Sequence, residues 1–184
     1  MKKLIKTFLV AALLSISLLF VSCEEFENID INVPFSIELT RQGLHPDDYE
    51  RDTVCLDTES STFQEYRNKF QNLTFVEAAL RVKEVIPTTM TGDIYLWIIS
   101  GTGDTLIAES VINVRPADYM NTPYVLPLSA NEIQLINNYL ALIQQNQVQP
   151  CFEGILQTQN IPGWDINKKI VFSIDIVIRG EVEM

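Results

Sequence analysis

The side chains that could carry acid–base or nucleophilic chemistry are few and scattered along this sequence. His45 is the single histidine of the chain; it precedes Pro46 in a polar stretch, and no Gly-x-Ser-x-Gly motif occurs. Hydrolysis by a serine or cysteine nucleophile needs a histidine-type base that a carboxylate orients. We therefore expect His45 to be exposed and idle, and the sequence predicts no catalytic residue.

The 24 acidic residues offer many carboxylate pairs of the kind that glycoside hydrolases use. None of these pairs has a sequence context that distinguishes it. Asp175 lies on the less apolar face of a long strand, and we expect it to face solvent or to pair with an arginine. Asp47, Asp48 and Asp52 in "HPDDYERD" carry oxygen ligands that suit Ca²⁺ but lack the glycine and spacing of an EF-hand loop. They are weak candidates for ligand binding, and no metal site is predicted.

Trp164, in the turn-rich stretch "NIPGWDINK", is the candidate for stacking on a sugar ring or anchoring a partner. A loop tryptophan can also fold back onto the core, so both roles stay open. The "GTGD" segment at 101–104 joins two strands and does not open a helix, which indicates a hairpin turn and no phosphate-binding loop. No cofactor is predicted.

Cys55 and Cys151 could pair in an oxidising compartment if their Cα atoms approach within about 7 Å. Alternation places both off the apolar faces of their strands, which favours a bond. A domain of this size does not need the bond, and a free cysteine behaves as a small hydrophobe. We expect unpaired thiols. One histidine and no Cys-x-x-Cys sequence give no basis for zinc.

Most of the elements predicted to position these residues are β-strands. Residues 29–39 alternate strictly between apolar and polar, and Pro34 among them predicts an edge strand or a strand with a bulge. "DIYLWIIS" and "DTLIAESVINV" flank two glycines and predict a hairpin whose first strand, apolar on both faces, is central. Other strands are expected at 53–57, 76–83, 124–128, 152–158 and 168–183.

Two helices interrupt the strands. One is expected over residues 62–70, where aromatic side chains recur at intervals of three and four. The other is expected over residues 130–145, where Ser129 and Glu132 fit a capping box. Eight strands with one apolar face each predict a two-sheet β-sandwich with both helices on its ends or flank. The alternative is an α+β fold, with one antiparallel sheet covered by both helices.

The N-terminus carries the most specific signal. Three lysines precede an apolar run over residues 8–21, the pattern of a secretory signal and too short a run to span a bilayer. The run ends in Phe20-Val21-Ser22-Cys23, which resembles the lipobox of bacterial lipoproteins, with Phe20 where that family prefers Leu. The sequence thus divides into a signal peptide over 1–22, an acidic tether over 23–28 and one domain over 29–184.

The resemblance implies acylation of Cys23 and anchoring in the outer membrane. Glu24 and Glu25 resemble the surface-export signal of Bacteroidota lipoproteins, which leaves cell-surface and periplasmic display both open. Thr53 and Thr105, in "DTV" and "DTL", resemble O-glycosylation acceptors of Bacteroidota envelope proteins. As a whole the chain resembles the small β-rich lipoproteins of Bacteroidota envelopes, from which no activity carries over.

Charge narrows the partners further. Removal of residues 1–22 takes three of the thirteen basic residues and leaves ten against 24 acidic ones, a net charge of −14. That charge opposes binding to nucleic acid and to anionic lipid. The sequence therefore predicts a lipid-anchored, non-enzymatic module for binding, adhesion or assembly with an envelope protein or glycan. The alternative is a polysaccharide hydrolase that uses a carboxylate pair.

Overall fold

A computed structural model describes residues 28–43 and 49–183, which form two packed four-stranded antiparallel sheets. The strand order is β1-β8-β3-β6 in sheet A and β2-β7-β4-β5 in sheet B, the order of a jelly roll. This confirms the predicted sandwich over the single-sheet alternative. The strands are β1 Ile29–Gln42, β2 Tyr49–Cys55, β3 Phe70–Ile86, β4 Gly92–Ser100, β5 Thr105–Val114, β6 Tyr124–Val125, β7 Cys151–Gln159 and β8 Lys169–Val182.

Within the described ranges there are three α-helices, of which two are short. These are α1 Leu56–Glu59, α2 Ser61–Tyr66 and α3 Ala130–Gln144, and a 3-10 turn spans Pro116–Tyr119. The capping box predicted at the start of α3 is present: Ser129 and Glu132 exchange hydrogen bonds between side chain and backbone. In this part of the chain, no helix has the length and apolar character needed to cross a bilayer.

The core lies between the sheets, as the alternation in β1 predicts. Val33, Phe35, Ile37 and Leu39 are at most 7 % exposed, whereas the residues between them are exposed. β1 is an edge strand, which accommodates Pro34 and confirms that prediction. β4 lies between β7 and β5, so the prediction of a central strand is also correct.

Helix α3 packs against β3 of sheet A and β5 of sheet B. On the sheet B side, the Glu132 carboxylate accepts the N–H of Ala108 in β5 at 3.2 Å. On the sheet A side, the Asn137 side chain accepts the N–H of Phe75 in β3 at 2.8 Å. β5 is an edge strand, and β3 pairs with β6 only at Ala79 and Leu80. These contacts therefore satisfy backbone donors that have no strand partner on that side.

The predicted helix over 62–70 is too long. Helix α2 ends at Tyr66, and Phe70 already begins β3. The ring of Phe70 still packs on Phe63, with ring centroids 5.7 Å apart, so the aromatic spacing reports a cluster formed across two elements. The Phe70 ring lies against Gly180, where a Cβ atom would approach it within 2.1 Å. A tertiary contact thus overrides the local helical pattern.

Cys55 and Cys151 form a disulfide, so the expectation of unpaired thiols is wrong. The S–S distance is 2.01 Å and the Cα atoms are 4.0 Å apart. The two residues are direct partners in the β2–β7 register, at the ends of both strands. Neither strand pattern reveals that register alone, because the cysteines are 96 positions apart in the chain.

Candidate functional site

Three aromatic side chains cluster on the outer face of sheet B. In β4, Ile94, Leu96 and Ile98 turn inward and are at most 2 % exposed, whereas the intervening Tyr95 and Trp97 turn outward and are half-buried. This follows from the two-residue period of a strand. We call Tyr49, Tyr95 and Trp97 together the aromatic plateau.

Register brings Tyr49 to the two β4 rings. Tyr49 in β2 and Tyr95 in β4 both pair with Gln157 of β7. Two residues further along β4, on the same face, Trp97 pairs with Ile155 of β7. The ring centroids of Tyr49 and Trp97 are 5.9 Å apart, and those of Tyr95 and Trp97 are 6.3 Å apart with planes only 15° from parallel. The rings therefore form one continuous aromatic surface.

The three rings of the plateau cover part of β7, the strand that lies between β2 and β4. Gln157 shares a row and a face with Tyr49 and Tyr95, yet it is only 9 % exposed. Tyr49 itself is 54 % exposed. Because β7 lies between β2 and β4, contact between the Tyr49 and Trp97 rings requires them to meet above it. The plateau thus spans two inter-strand spacings, or about 10 Å.

Polar groups border the plateau. Ser110 in β5 is the exposed partner of Tyr95. On the other side, Arg51 in β2 shares a row with Ile155 and Trp97, and its guanidinium lies 3.5 Å from the Glu153 carboxylate. An apolar centre with hydrogen-bonding groups around it is the arrangement expected of a small binding surface.

Asp175 lies on the opposite outer face, that of sheet A. Its carboxylate accepts hydrogen bonds from Ser36 at 3.0 Å, Ser173 at 2.6 Å and Arg81 at 2.9 Å. Burial acts to raise the pKa of Asp175, but these hydrogen bonds outweigh it and hold the pKa below its usual value. The expected pairing with an arginine is confirmed, and it gives Asp175 a structural role.

A second engaged carboxylate, Asp93, is 7 % exposed at the start of β4. It accepts the backbone N–H of Asn113 at 2.7 Å and the side-chain amide of Asn160. The Asn113 bond is the main reason that the pKa of Asp93 is lowered, with Asn160 adding to it. Asp93 therefore ties the end of β5 and the β7–β8 connection to β4.

Glu109 and Glu132 are a carboxylate pair with opposite pKa shifts. Burial raises the pKa of Glu109, and the nearby Glu132 charge adds to that shift. Burial also acts to raise the pKa of Glu132, but hydrogen bonds from Ser129 and Ala108 outweigh it and lower the pKa overall. Both oxygens of Glu132 already accept hydrogen bonds at the helix cap and the strand edge.

Trp164, the tryptophan singled out from the sequence, packs against the hydrophobic core and is half-buried. Its indole N–H donates to the carbonyl of Gly43, just after β1. The guanidinium of Arg41 lies 5.6 Å from the centroid of its ring. These contacts are those of a loop tryptophan folded back onto the core.

The other sequence candidates are not brought together into one site. Asp52 is exposed, and its carboxylate accepts the N–H of Thr53 at 2.9 Å. Cys23, Asp47 and Asp48 lie outside the described residues. Within the described part of the chain, no group of three or more His, Cys, Asp or Glu residues is placed to hold a metal ion.

Thr53 and Thr105 are both exposed, at opposite edges of sheet B. They belong to one row that crosses all four strands, in the order Thr53, Glu153, Ile99 and Thr105. This row is the next one along from that of Trp97, on the same face. The two threonines therefore lie on either side of the surface that carries the plateau.

A small internal cavity does not offer an alternative site. Its volume is about 10 Å³, enough for roughly one water molecule and far below the several hundred Å³ of ligand pockets. Its lining is wholly apolar and comprises Phe75, Ile98, Leu106, Ile107, Ile136, Phe152, Ile176 and Ile178. It is a packing defect in the core.

Sequence reasoning missed the plateau. Tyr49 precedes the strand expected over residues 53–57, and Tyr95 and Trp97 belong to a strand whose two faces both count as apolar. The available signal was the contrast in β4 between aliphatic residues on one face and aromatic residues on the other. Such a contrast indicates one face in the core and another at a surface.

No protein-family model matches the chain, and no curated protein matches it in sequence. Among solved structures, a chain of turnip yellow mosaic virus is 7 % identical with a TM-score of 0.42, covering 86 % of this chain and 96 % of that one. A chain of the mud crab tombus-like virus is 12 % identical with a TM-score of 0.38, covering 92 % and 98 % respectively. These similarities are too distant to support a statement about function.

Proposed function

We propose that this protein is a lipid-anchored, non-enzymatic carbohydrate-binding module of a bacterial outer envelope. The observation that carries the proposal is the aromatic plateau on an outward-facing sheet. Aromatic rings present a flat apolar surface with a negative face, and Tyr and Trp combine that surface with a polar tip. The C–H-rich face of a sugar ring can pack on such a surface while its hydroxyl groups contact the polar border.

The fold supports this role because it holds the rings in place before a ligand arrives. Tyr95 and Trp97 stand on a central strand, and Tyr49 stands on β2, which the disulfide fastens to β7. A preorganised surface loses little conformational freedom on binding, so more of the contact energy is available as affinity.

The topology also directs the plateau away from the proposed anchor. β1 begins at Ile29, directly after the tether, and its 14 residues extend about 45 Å. Near its far end, Arg41 forms a 2.9 Å ion pair with Glu50, so that end adjoins the start of β2 and therefore Tyr49. With acyl chains on Cys23 in the outer membrane, the plateau would lie near the end of β1 that is farther from the membrane surface.

The test is to replace Trp97 with Ala in the full-length protein and to measure binding to a glycan array and to isolated cell envelopes. Loss of the central ring should weaken binding at least about tenfold, equivalent to 1.4 kcal/mol. The matched control is Trp164→Ala, which removes the other tryptophan of the chain. That variant should lose stability and keep its binding.

Equal binding by wild type and Trp97→Ala would contradict the proposal, as would loss of binding in Trp164→Ala alone. Circular dichroism of each variant separates loss of binding from loss of folding. Tyr49→Ala serves as a second variant, because a side chain that is 54 % exposed contributes little to the core.

Hydrolysis of polysaccharide is the second candidate, and the opposed pKa shifts of Glu109 and Glu132 are the observation that favours it. It is the weaker candidate, because the hydrogen bonds to Glu132 account for that residue as a helix cap. Release of reducing sugar by wild type, abolished in Glu109→Gln with folding intact, would support the enzyme over the binding module.

A further inference from the structure

We infer that the ligand of the aromatic plateau is an uncharged polysaccharide, bound along its chain and not at its end. This inference rests on the proposed function and adds the chemical class of the glycan and the part of it that is recognised. Three observations carry it: the openness of the plateau, the charge of the sheet that bears it, and its small area.

The plateau is open at both sides in the described structure. Tyr49, at one edge of sheet B, is 54 % exposed, and Ser110, on the strand at the other edge, is also exposed. Recognition of a chain end requires a wall that stops the chain, as in a pocket that surrounds its ligand. An open surface about 10 Å across instead lets a polymer pass over and continue in both directions.

The four strands of sheet B offer no unpaired cation to an anionic polymer. Its four strands contain five acidic residues and a single basic one, Arg51, whose guanidinium lies 3.5 Å from Glu153. The strands of sheet A, in contrast, contain five basic and six acidic residues. Arg51 is thus already paired, and a glycan with carboxylate or sulfate groups would find no free cation in the strands that bear the plateau.

The area of the plateau favours a glycan over a protein. A specific protein interface buries about 800 Å² on each partner. A fully buried aromatic side chain contributes about 150–250 Å², and two of the three rings here are already half-buried. The plateau thus falls well short of a protein interface, while it is large enough to accept a few sugar rings.

The experiment measures binding of the full-length protein, in detergent micelles, to a panel of neutral glucans, mannans, galactans and xylans. Each polymer is paired with a derivative in which a fraction of its hydroxyl groups carries a carboxymethyl group, and with its own monosaccharide. We expect at least one neutral polymer to bind, its carboxylated derivative to bind at least about tenfold more weakly, and its monosaccharide to compete poorly.

A charge variant tests the cause directly. Glu153→Gln removes the carboxylate beside Arg51 and leaves the plateau rings in place. It should therefore reduce the difference in binding affinity between the neutral polymer and its carboxylated derivative. Trp97→Ala should abolish binding to the neutral polymer in the same assay, which ties that binding to the plateau.

The outcomes separate the inference from the proposed function. Carboxylated polymer that binds as tightly as the neutral one, through Trp97, would overturn the assignment to uncharged glycans and leave carbohydrate binding standing. Competition by the monosaccharide at comparable concentration would overturn recognition along the chain. If no polymer of either kind binds, the inference and the proposed function both fail.

Discussion

At the scale of single residues, the carboxylates that invite a catalytic interpretation are engaged in holding the fold. Asp175 accepts bonds from residues of β1, β3 and its own strand β8, and so links three neighbouring strands of sheet A. Asp93 does the same for β4, β5 and the β7–β8 connection. Lowered pKa values in such settings reflect structural hydrogen bonds and do not by themselves mark a catalytic group.

The Asp175 cluster predicts a dependence of stability on pH. Because its folded-state pKa lies below the ordinary 3.8, ionised Asp175 stabilises the fold above pH 3.8, and this contribution is lost as the pH falls through the lower, folded-state value. Asp175→Asn should therefore cost about 1 kcal/mol at pH 7, a figure reduced for its partial exposure, and progressively less as the pH falls below 3.8. Urea unfolding at several pH values measures the difference.

The matched control for that series is Glu38→Gln. Glu38 forms an ion pair with Lys83 on the same face, but both side chains are about half exposed, at 51 % and 45 %. An exposed pair contributes little, so this variant should unfold like wild type. If the difference in free energy of unfolding between Asp175→Asn and wild type stays the same at low pH, the charge of Asp175 is not the cause of that difference.

At the scale of elements, the disulfide joins the end of β2 to the start of β7. Replacing both Cys55 and Cys151 with Ser should lower the free energy of unfolding by about 2–5 kcal/mol, since a cross-link between residues 96 positions apart restricts the unfolded chain strongly. Urea unfolding with and without reductant measures the loss. Reductant should have no further effect on the double variant, which is the control.

Intact mass gives an independent readout of the same bond. The native protein should gain two hydrogens on reduction, and an unchanged mass would show that the cysteines are not paired. If they are paired, reduction should also weaken ligand binding, because Tyr49 stands on the strand that the bond fastens.

Elements with strong local patterns could be predicted from the sequence. The alternation in β1, the glycines of the β4–β5 hairpin and the capping box at Ser129 each determine one element within a short window, and all three are confirmed. Gly103 adopts a φ of 92°, as the hairpin turn requires. Elements whose limits depend on distant contacts could not be predicted, as the early end of α2 beside Phe70 and Gly180 shows.

The candidate site depends on register, which local patterns do not contain. Tyr49 and Trp97 are far apart in the chain, and only the pairing of β2 and β4 with opposite edges of β7 brings their rings together. The same is true of Cys55 and Cys151. Trp164 is more conspicuous in the sequence because it lies among turn residues, yet its ring packs against the core.

At the scale of the whole molecule, the sequence signal at Cys23 predicts where the protein resides. Cys23→Ser should remove the acylated position, so the protein should move from the membrane fraction to the soluble fraction. Each buried methylene of an acyl chain contributes about 0.8 kcal/mol, and a protein without those chains has no comparable hold on the bilayer. Fractionation followed by immunoblotting measures the change.

The domain of that variant should remain folded, since the core of the described structure is built from residues of β1 and later elements. Val21→Ala is the matched control, because it alters the signal segment and keeps the cysteine. Membrane association of Cys23→Ser at the wild-type level, with metabolic lipid label retained, would contradict the anchor.

The pairing of β1 with β8 has a mechanical consequence for a module held at its N-terminus. The two strands are antiparallel and in register from Ile29 with Val182 to Gln42 with Lys169, so backbone hydrogen bonds run the full length of β1. With the proposed anchor at Cys23 and a ligand on sheet B, tension between them would enter β1 at its N-terminal end and act parallel to that strand. The bonds are then loaded in shear, together, and do not open one after another as in a zipper. Under a pulling force the domain should therefore release its ligand before β1 is stripped from the sandwich.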